Sequence, residues 1–93
     1  MLNPAGTPRT AIEITVRYFA SARAAAGVES ETVALVQGST ITSLTSVLAD
    51  SRPPLGEVLK RCSFLIDELA VRDRSRVVPD GSTVDVLPPF AGG

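Results

Sequence analysis

The sequence predicts an α+β fold, a small mixed sheet with one main helix packed across it. Three observations carry the prediction. Near the start, Ile12, Ile14, Val16 and Tyr18 alternate with Glu13, Thr15, Arg17 and Phe19, the period-2 pattern of a half-buried strand. In the middle, Ile41, Leu44, Val47 and Leu48 recur on one helical face. Near the end, two apolar runs, SFLIDEL and TVDVL, flank a turn at Pro79-Asp80-Gly81. Strands placed before and after a single long helix, with no repeat and no internal linker, give one layer of helix on one sheet.

Each element has its own local signals. Residues 1–10 hold two prolines, a glycine and no periodicity, and read as a flexible leader. The first strand opens at Ala11. ASARAAAG then reads as a short helix, with Ser21 as its N-cap and Gly27 as its C-terminal stop. SETVALV is a second strand, close enough to the first to pair with it as a hairpin-like unit. Thr40 caps the main helix, and Pro53 and Pro54 interrupt it. Leu55, Val58, Leu59 and Cys62 mark a further helical piece that opens on a proline. SFLIDEL is a third strand, AVRDRSRVV holds a short one, and TVDVL closes the sheet with Val84 and Val86 on one face. The folded domain is thus residues 11–87, and residues 88–93 form an extended tail.

Composition narrows the function. At 93 residues the chain is one domain with one modest core, and with 44% apolar but only 4% aromatic residues that core is packed from Val, Leu, Ile and Ala. The net charge is −1, and the nine basic residues are scattered among ten acids, so nucleic acid is not an expected partner. No run of about 20 apolar residues would span a bilayer, and MLNPAGTPRT lacks the pattern of a secretory signal, so no membrane and a cytoplasmic location are expected. The single cysteine, Cys62, cannot form an internal disulfide and reads as a small buried hydrophobe. Histidine is absent, which removes the usual general base and the commonest metal ligand. Neither a P-loop nor a GxGxxG run is present. Asp67 and Glu68, adjacent in the third strand, point to opposite faces rather than forming a dyad. Arg72, Arg74 and Arg76 read as a solvated face.

What remains is the end, VDVLPPFAGG. From Val86 to Gly93 no side chain is charged or hydrogen-bonding, so the segment can enter a narrow protein channel without stranding charge. The terminal carboxylate, with a reference pKa of about 3.5, is an anion at neutral pH. Pro88 and Pro89 stiffen the exit from the last strand, and the five positions from Pro89 to Gly93 extend to about 16 Å. Phe90 is an apolar anchor and Ala91 a further tail contact. Gly92 has no Cβ, which lets a partner's catalytic groups approach Gly93 closely.

These residues resemble a known family. LPPFAGG is similar to the PPxxGG terminus of the MoaD/ThiS ubiquitin-like sulfur carriers, ITVRYFASARAAAG resembles their first strand and following turn, and DGSTVDVLPP resembles their final strand. The resemblance spans residues 11–93. The chain departs from it with IDELAV where an Asn-Gly type turn is common, and with Gly81-Ser82 where GD is common. The resemblance implies a β-grasp fold and a sulfur-carrier role as the small subunit of molybdopterin synthase. It implies that Gly93 is adenylated by an E1-like (MoeB-like) adenylyltransferase using ATP and Mg, converted to a thiocarboxylate with sulfur from a persulfide donor, and inserted into a MoaE-like large subunit. Gly92, Ala91, Phe90, Pro89 and Pro88 would be the binding residues, and this chain itself would bind no cofactor and supply no catalytic side chain. A sulfur carrier for thiazole or cysteine, or a ubiquitin-like protein modifier, stays open beside it.

Overall fold

The computed structural model describes residues 11–89. Five strands form one mixed sheet: β1 (Ala11–Tyr18), β2 (Ser30–Val36), β3 (Ser63–Ile66), β4 (Leu69–Ala70) and β5 (Thr83–Leu87). Three helices accompany them: α1 (Ala20–Ala26), α2 (Ile41–Ser51) and α3 (Leu55–Arg61). The strand order is β2-β1-β5-β3-β4. β1 pairs antiparallel with β2 and parallel with β5, and β3 pairs antiparallel with both β5 and β4. The last strand in sequence is therefore the central one in space.

The alternation in β1 does what its period dictates. Ile12, Ile14, Val16 and Tyr18 are buried while Ala11, Glu13, Thr15 and Arg17 face solvent. Val84 and Val86 of β5 join them on the same face, fully buried. Onto that face α2 brings Ile41, Leu44 and Leu48, α3 brings Leu55 and Leu59, and α1 brings Ala22 and Ala26. Each fully buried aliphatic side chain contributes roughly 1.5–3 kcal/mol relative to exposure. Val47, expected on the buried stripe, is instead 40% exposed, because it lies at the margin of the contact arc.

Caps set the helix ends. Thr40 and Ser43 form a capping box: the Thr40 hydroxyl accepts from the Ser43 N–H, and Ser43 Oγ accepts from the Thr40 N–H. Gly27 ends α1 in the left-handed region, φ 79°. Ser21 is not the cap of that helix; Phe19 takes the position and supplies no side-chain bond, so the helix begins two residues earlier than its polar residue suggests. α3 starts after Pro54, whose φ of −60° suits a first helical turn, and ends at the buried Cys62.

Two polar networks tie the layers together. The Glu31 carboxylate accepts from the Tyr18 hydroxyl and from Arg52 Nε and Nη2 at 3.1 and 2.9 Å, while Arg52 Nη1 donates to the Ala26 carbonyl at 2.8 Å. The α1 terminus, β2 and the end of α2 are thereby clamped. Arg52 holds the Glu31 carboxyl below the ordinary carboxylate range, and burial together with Glu31 pushes the Tyr18 phenol above its own. In the second network Arg74 Nη2 donates to the carbonyls of Leu59 and Cys62 at 3.0 and 2.9 Å, and its guanidinium lies 4.9 Å from the Phe64 ring centroid. Arg74 thus serves as the C-terminal fastener of α3, whereas Arg72 and Arg76 remain exposed as expected.

Candidate functional site

β5 is built to be held. It is hydrogen-bonded on both sides, with Thr83, Val84, Asp85 and Val86 beside Thr15, Val16, Arg17 and Tyr18, and Ser63 to Ile66 on the other flank. The Phe19 N–H reaches the Val86 carbonyl at 3.3 Å. At its entry the turn at Asp80 and Gly81 is fixed by the Glu13 N–H donating to Asp80 Oδ1 at 2.9 Å and the Gly81 N–H donating to the Glu13 carbonyl at 2.8 Å. Gly81 sits at φ 79°, where a side chain would strain the backbone.

The sheet face turned away from the helices carries an ion pair at its centre. Asp85 lies there with only 7% of its side chain exposed, and Arg17 grips it through Nε at 2.6 Å and Nη2 at 2.9 Å. This is the bidentate geometry that matches a guanidinium to a carboxylate, and it raises the Arg17 pKa further. The register aligns Arg17, Asp85, Leu65 and Ala70 in one row across four strands, with Ser63 and Leu87 in the next row. This row thus carries a paired charge flanked by Leu65 and Leu87.

Asp67 and Glu68 are not in a strand. They form the two-residue turn between β3 and β4, both in the left-handed region at φ 48° and 72°. Both line a hollow of about 260 Å³ with Arg17, Thr83 and Asp85, and Asp67 Oδ1 accepts from the Thr83 N–H at 2.9 Å. The SFLIDEL strand therefore ends at Ile66, and the two acids share one side of the molecule. A two-residue hairpin loop with both residues left-handed matches strand twist, and here Asp-Glu occupies the place that Asn-Gly usually fills.

Of the tail residues, Pro88 is buried and Pro89 is exposed. Both line a hollow of about 310 Å³ on the helix side, together with Ser21, Val58 and Arg61. Phe90, Ala91, Gly92 and Gly93, and the leader 1–10, lie outside the described residues. Cys62 is buried as expected, its Sγ donating to the Val58 carbonyl at 3.2 Å, and burial pushes the thiol up. Among the described residues no cluster of three or more His, Cys, Asp or Glu is gathered to hold a metal, and no helix is long and apolar enough to cross a membrane. Sequence reasoning missed the Arg17–Asp85 pair, for which alternation put both residues off the core but could not show that they meet.

A mixed sheet whose central strand is the last in sequence, with a helix laid across one face, defines a ubiquitin-like β-grasp protein. The Pyrococcus furiosus protein described as a putative molybdopterin converting factor, subunit 1, superposes with a TM-score of 0.76 at 23% identity, covering 84% of this chain and 98% of that one. The family model described as the ThiS family matches residues 16–93, and the chain belongs to that family. A curated relative from Chlamydomonas reinhardtii, the molybdopterin synthase sulfur carrier subunit, is 34% identical over 83 residues, spanning 88% of this chain and all of that protein. A chain in the Helicobacter pylori complex of subunits 1 and 2 of molybdopterin-converting factor shares the fold with a TM-score of 0.64 at 20% identity, covering 88% of this chain and all of that one.

Proposed function

We propose that this chain is the sulfur carrier subunit of a molybdopterin synthase. The observation that carries the reading is the full-length likeness to the Chlamydomonas reinhardtii carrier subunit, together with a final strand held on both sides that leads into PPFAGG.

In this reading Gly93 carries the chemistry. A carboxylate is a poor electrophile, so a partner adenylyltransferase of the E1-like type binds ATP and Mg, and the Gly93 carboxylate oxygen attacks the α-phosphate with loss of pyrophosphate. The outer sulfur of a persulfide donor displaces AMP from the acyl-adenylate to give an acyl disulfide. A second thiol of the donor cleaves that S–S bond, becoming a disulfide itself and leaving the C-terminal thiocarboxylate. A large subunit takes in the tail and holds the pterin precursor that receives the sulfur, and the Helicobacter pylori complex of subunits 1 and 2 supports such a two-subunit assembly. Gly92 gives clearance, while Phe90, Ala91 and Pro89 contact the partner. Pro88, being buried, orients the exit rather than touching the partner directly. The carrier's contribution is positioning, which fits a chain without histidine.

The test is co-expression with the adenylyltransferase and a sulfur source, followed by intact mass. Replacement of one oxygen by one sulfur is the expected result, and a Gly92→Phe variant should keep the fold and lose the modification. An isopeptide adduct on lysines would instead make the chain a protein modifier, and an unchanged mass would remove the carrier reading.

A further inference from the structure

The two edges of the sheet are built differently. β4 is two residues long, starts in the left-handed Asp67-Glu68 turn and is followed by Arg72, Asp73 and Arg74. Short, charged edges of this kind discourage pairing with other chains. β2 is seven residues long, reads SETVALV, and runs through seven consecutive pairs with β1 without a bulge, a proline or a lysine.

The phase of that pairing shows which groups β2 leaves over. Tyr18 N–H donates to the Glu29 carbonyl at 2.9 Å, so the hydrogen-bonded positions recur at Glu31, Val33 and Leu35. The N–H and C=O groups of Ser30, Thr32 and Ala34 therefore point away from the sheet, and they have no hydrogen-bond partner among the described residues. The side chains of Thr32 and Ala34 are exposed, and Val36 at the end of the strand is 68% exposed. This edge is an open template of strong strand formers.

We propose that the β2 edge is a strand-addition surface whose partner is a second copy of this chain, paired antiparallel about a two-fold axis at Val33. That register is self-complementary. It sets Thr32 against Ala34 as the hydrogen-bonded pairs, Val33 against its own copy, Glu31 against Leu35 and Ser30 against Val36, so no like charges stand opposite each other. Glu31 is in any case engaged by Arg52 and Tyr18. β1 separates β2 from β5, so the added strand lies on the far side of β1 and β2, some 14 Å from the strand that leads to the tail. The pairing does not depend on the carrier reading and leaves it undisturbed. A single strand edge of about 24 Å is a small contact beside standard interfaces of about 1,600 Å², so association is weak and concentration-dependent.

Amide hydrogen exchange and sedimentation equilibrium on the full chain, from low micromolar to millimolar concentration, test this. The Thr32 and Ala34 amides should slow at least tenfold as the mass rises toward that of a dimer. Thr32→Pro, which removes an outward donor without touching the β1 ladder, and the milder Ala34→Lys should both abolish the rise while circular dichroism stays unchanged. Three results would overturn the proposal. One is a constant monomer mass with fast exchange at Thr32 and Ala34, and another is protection independent of concentration, which would mean that a segment of the same chain covers the edge. The third is a dimer that persists in both variants.

Discussion

Tyr18 gives the sharpest handle on how this fold is held, because it is the one tyrosine of a chain without tryptophan. Its ring is fully buried, and its hydroxyl donates to the Glu31 carboxylate. Tyr18→Phe keeps the ring and removes only that bond. Glu31 stays paired with Arg52, so no charge is stranded, and the cost falls at the low end for a bond to a charged group, about 1.5 kcal/mol. For a domain of this size that lowers Tm by about 6–12 °C. The pH dependence follows from linkage. The folded phenol holds its proton more tightly than the unfolded one, whose pKa is about 10, so the stability it contributes is complete below about pH 10 and is lost as pH rises through the folded value. The gap between wild type and Tyr18→Phe, measured by urea denaturation, should therefore be constant at neutral pH and close in alkali. Tyrosinate absorbance of the folded protein should appear only well above pH 10. A variant as stable as wild type at pH 7, or a phenol that titrates near 10 in the folded chain, would refute the argument.

Three other substitutions or reactions probe features that only the fold reveals. Arg74→Ala frees the last carbonyls of α3 and uncovers Phe64, and should cost about 1–2 kcal/mol in urea; Arg74→Lys should recover only part of it, since an ammonium lacks the planar guanidinium that stacks on the ring. Glu68→Gly relieves a side chain held at φ 72° and should raise stability by about 0.5–1 kcal/mol, read as a higher urea midpoint with unchanged slope. The Cys62 thiol, buried and pushed up in pKa, should react with iodoacetamide only as fast as the chain opens, and rapid labelling of the native protein would contradict its placement.

What could be read from the sequence was local. The alternation in β1 and the Thr40 entrance to α2 need only neighbouring residues, and both stand as expected. Gly27 and the turn at Asp80 and Gly81 were equally legible, because glycine is the residue for positive φ. The Asp67-Glu68 turn was hidden because Glu68 stands where glycine usually marks such a turn, so an apolar run followed by two acids passed for a longer strand. Arg74 was assigned to solvent because its partners lie 12 and 15 positions away, and the Tyr18, Glu31 and Arg52 clamp spans separations of 13 and 21. No periodicity reports such meetings. Val47 failed for a smaller reason, a helical stripe read one position too wide. At the site, the strand leading to the tail was legible, but the Arg17–Asp85 pair beside it was not.

That pair also makes a claim about how the tail is based. In the proposed function the tail delivers its end into another protein's active centre and would lose precision if the strand behind it opened; central placement of β5 and a buried carboxylate locked by Arg17 oppose that opening. Removing one partner of such a pair is worse than removing both, because a buried carboxylate without its guanidinium is uncompensated. Arg17→Leu should therefore lower the urea midpoint and speed amide exchange at Thr83 and Asp85, the part of β5 nearest the charge. Arg17→Leu combined with Asp85→Leu should recover much of the loss, leaving an apolar row with Leu65. If the single variant matches wild type in both measurements, the ion pair is a surface ornament and the rigidity of β5 rests on its two ladders alone. If the double variant is stable yet still accepts sulfur at the wild-type rate, the pair serves the strand and has no part in partner recognition.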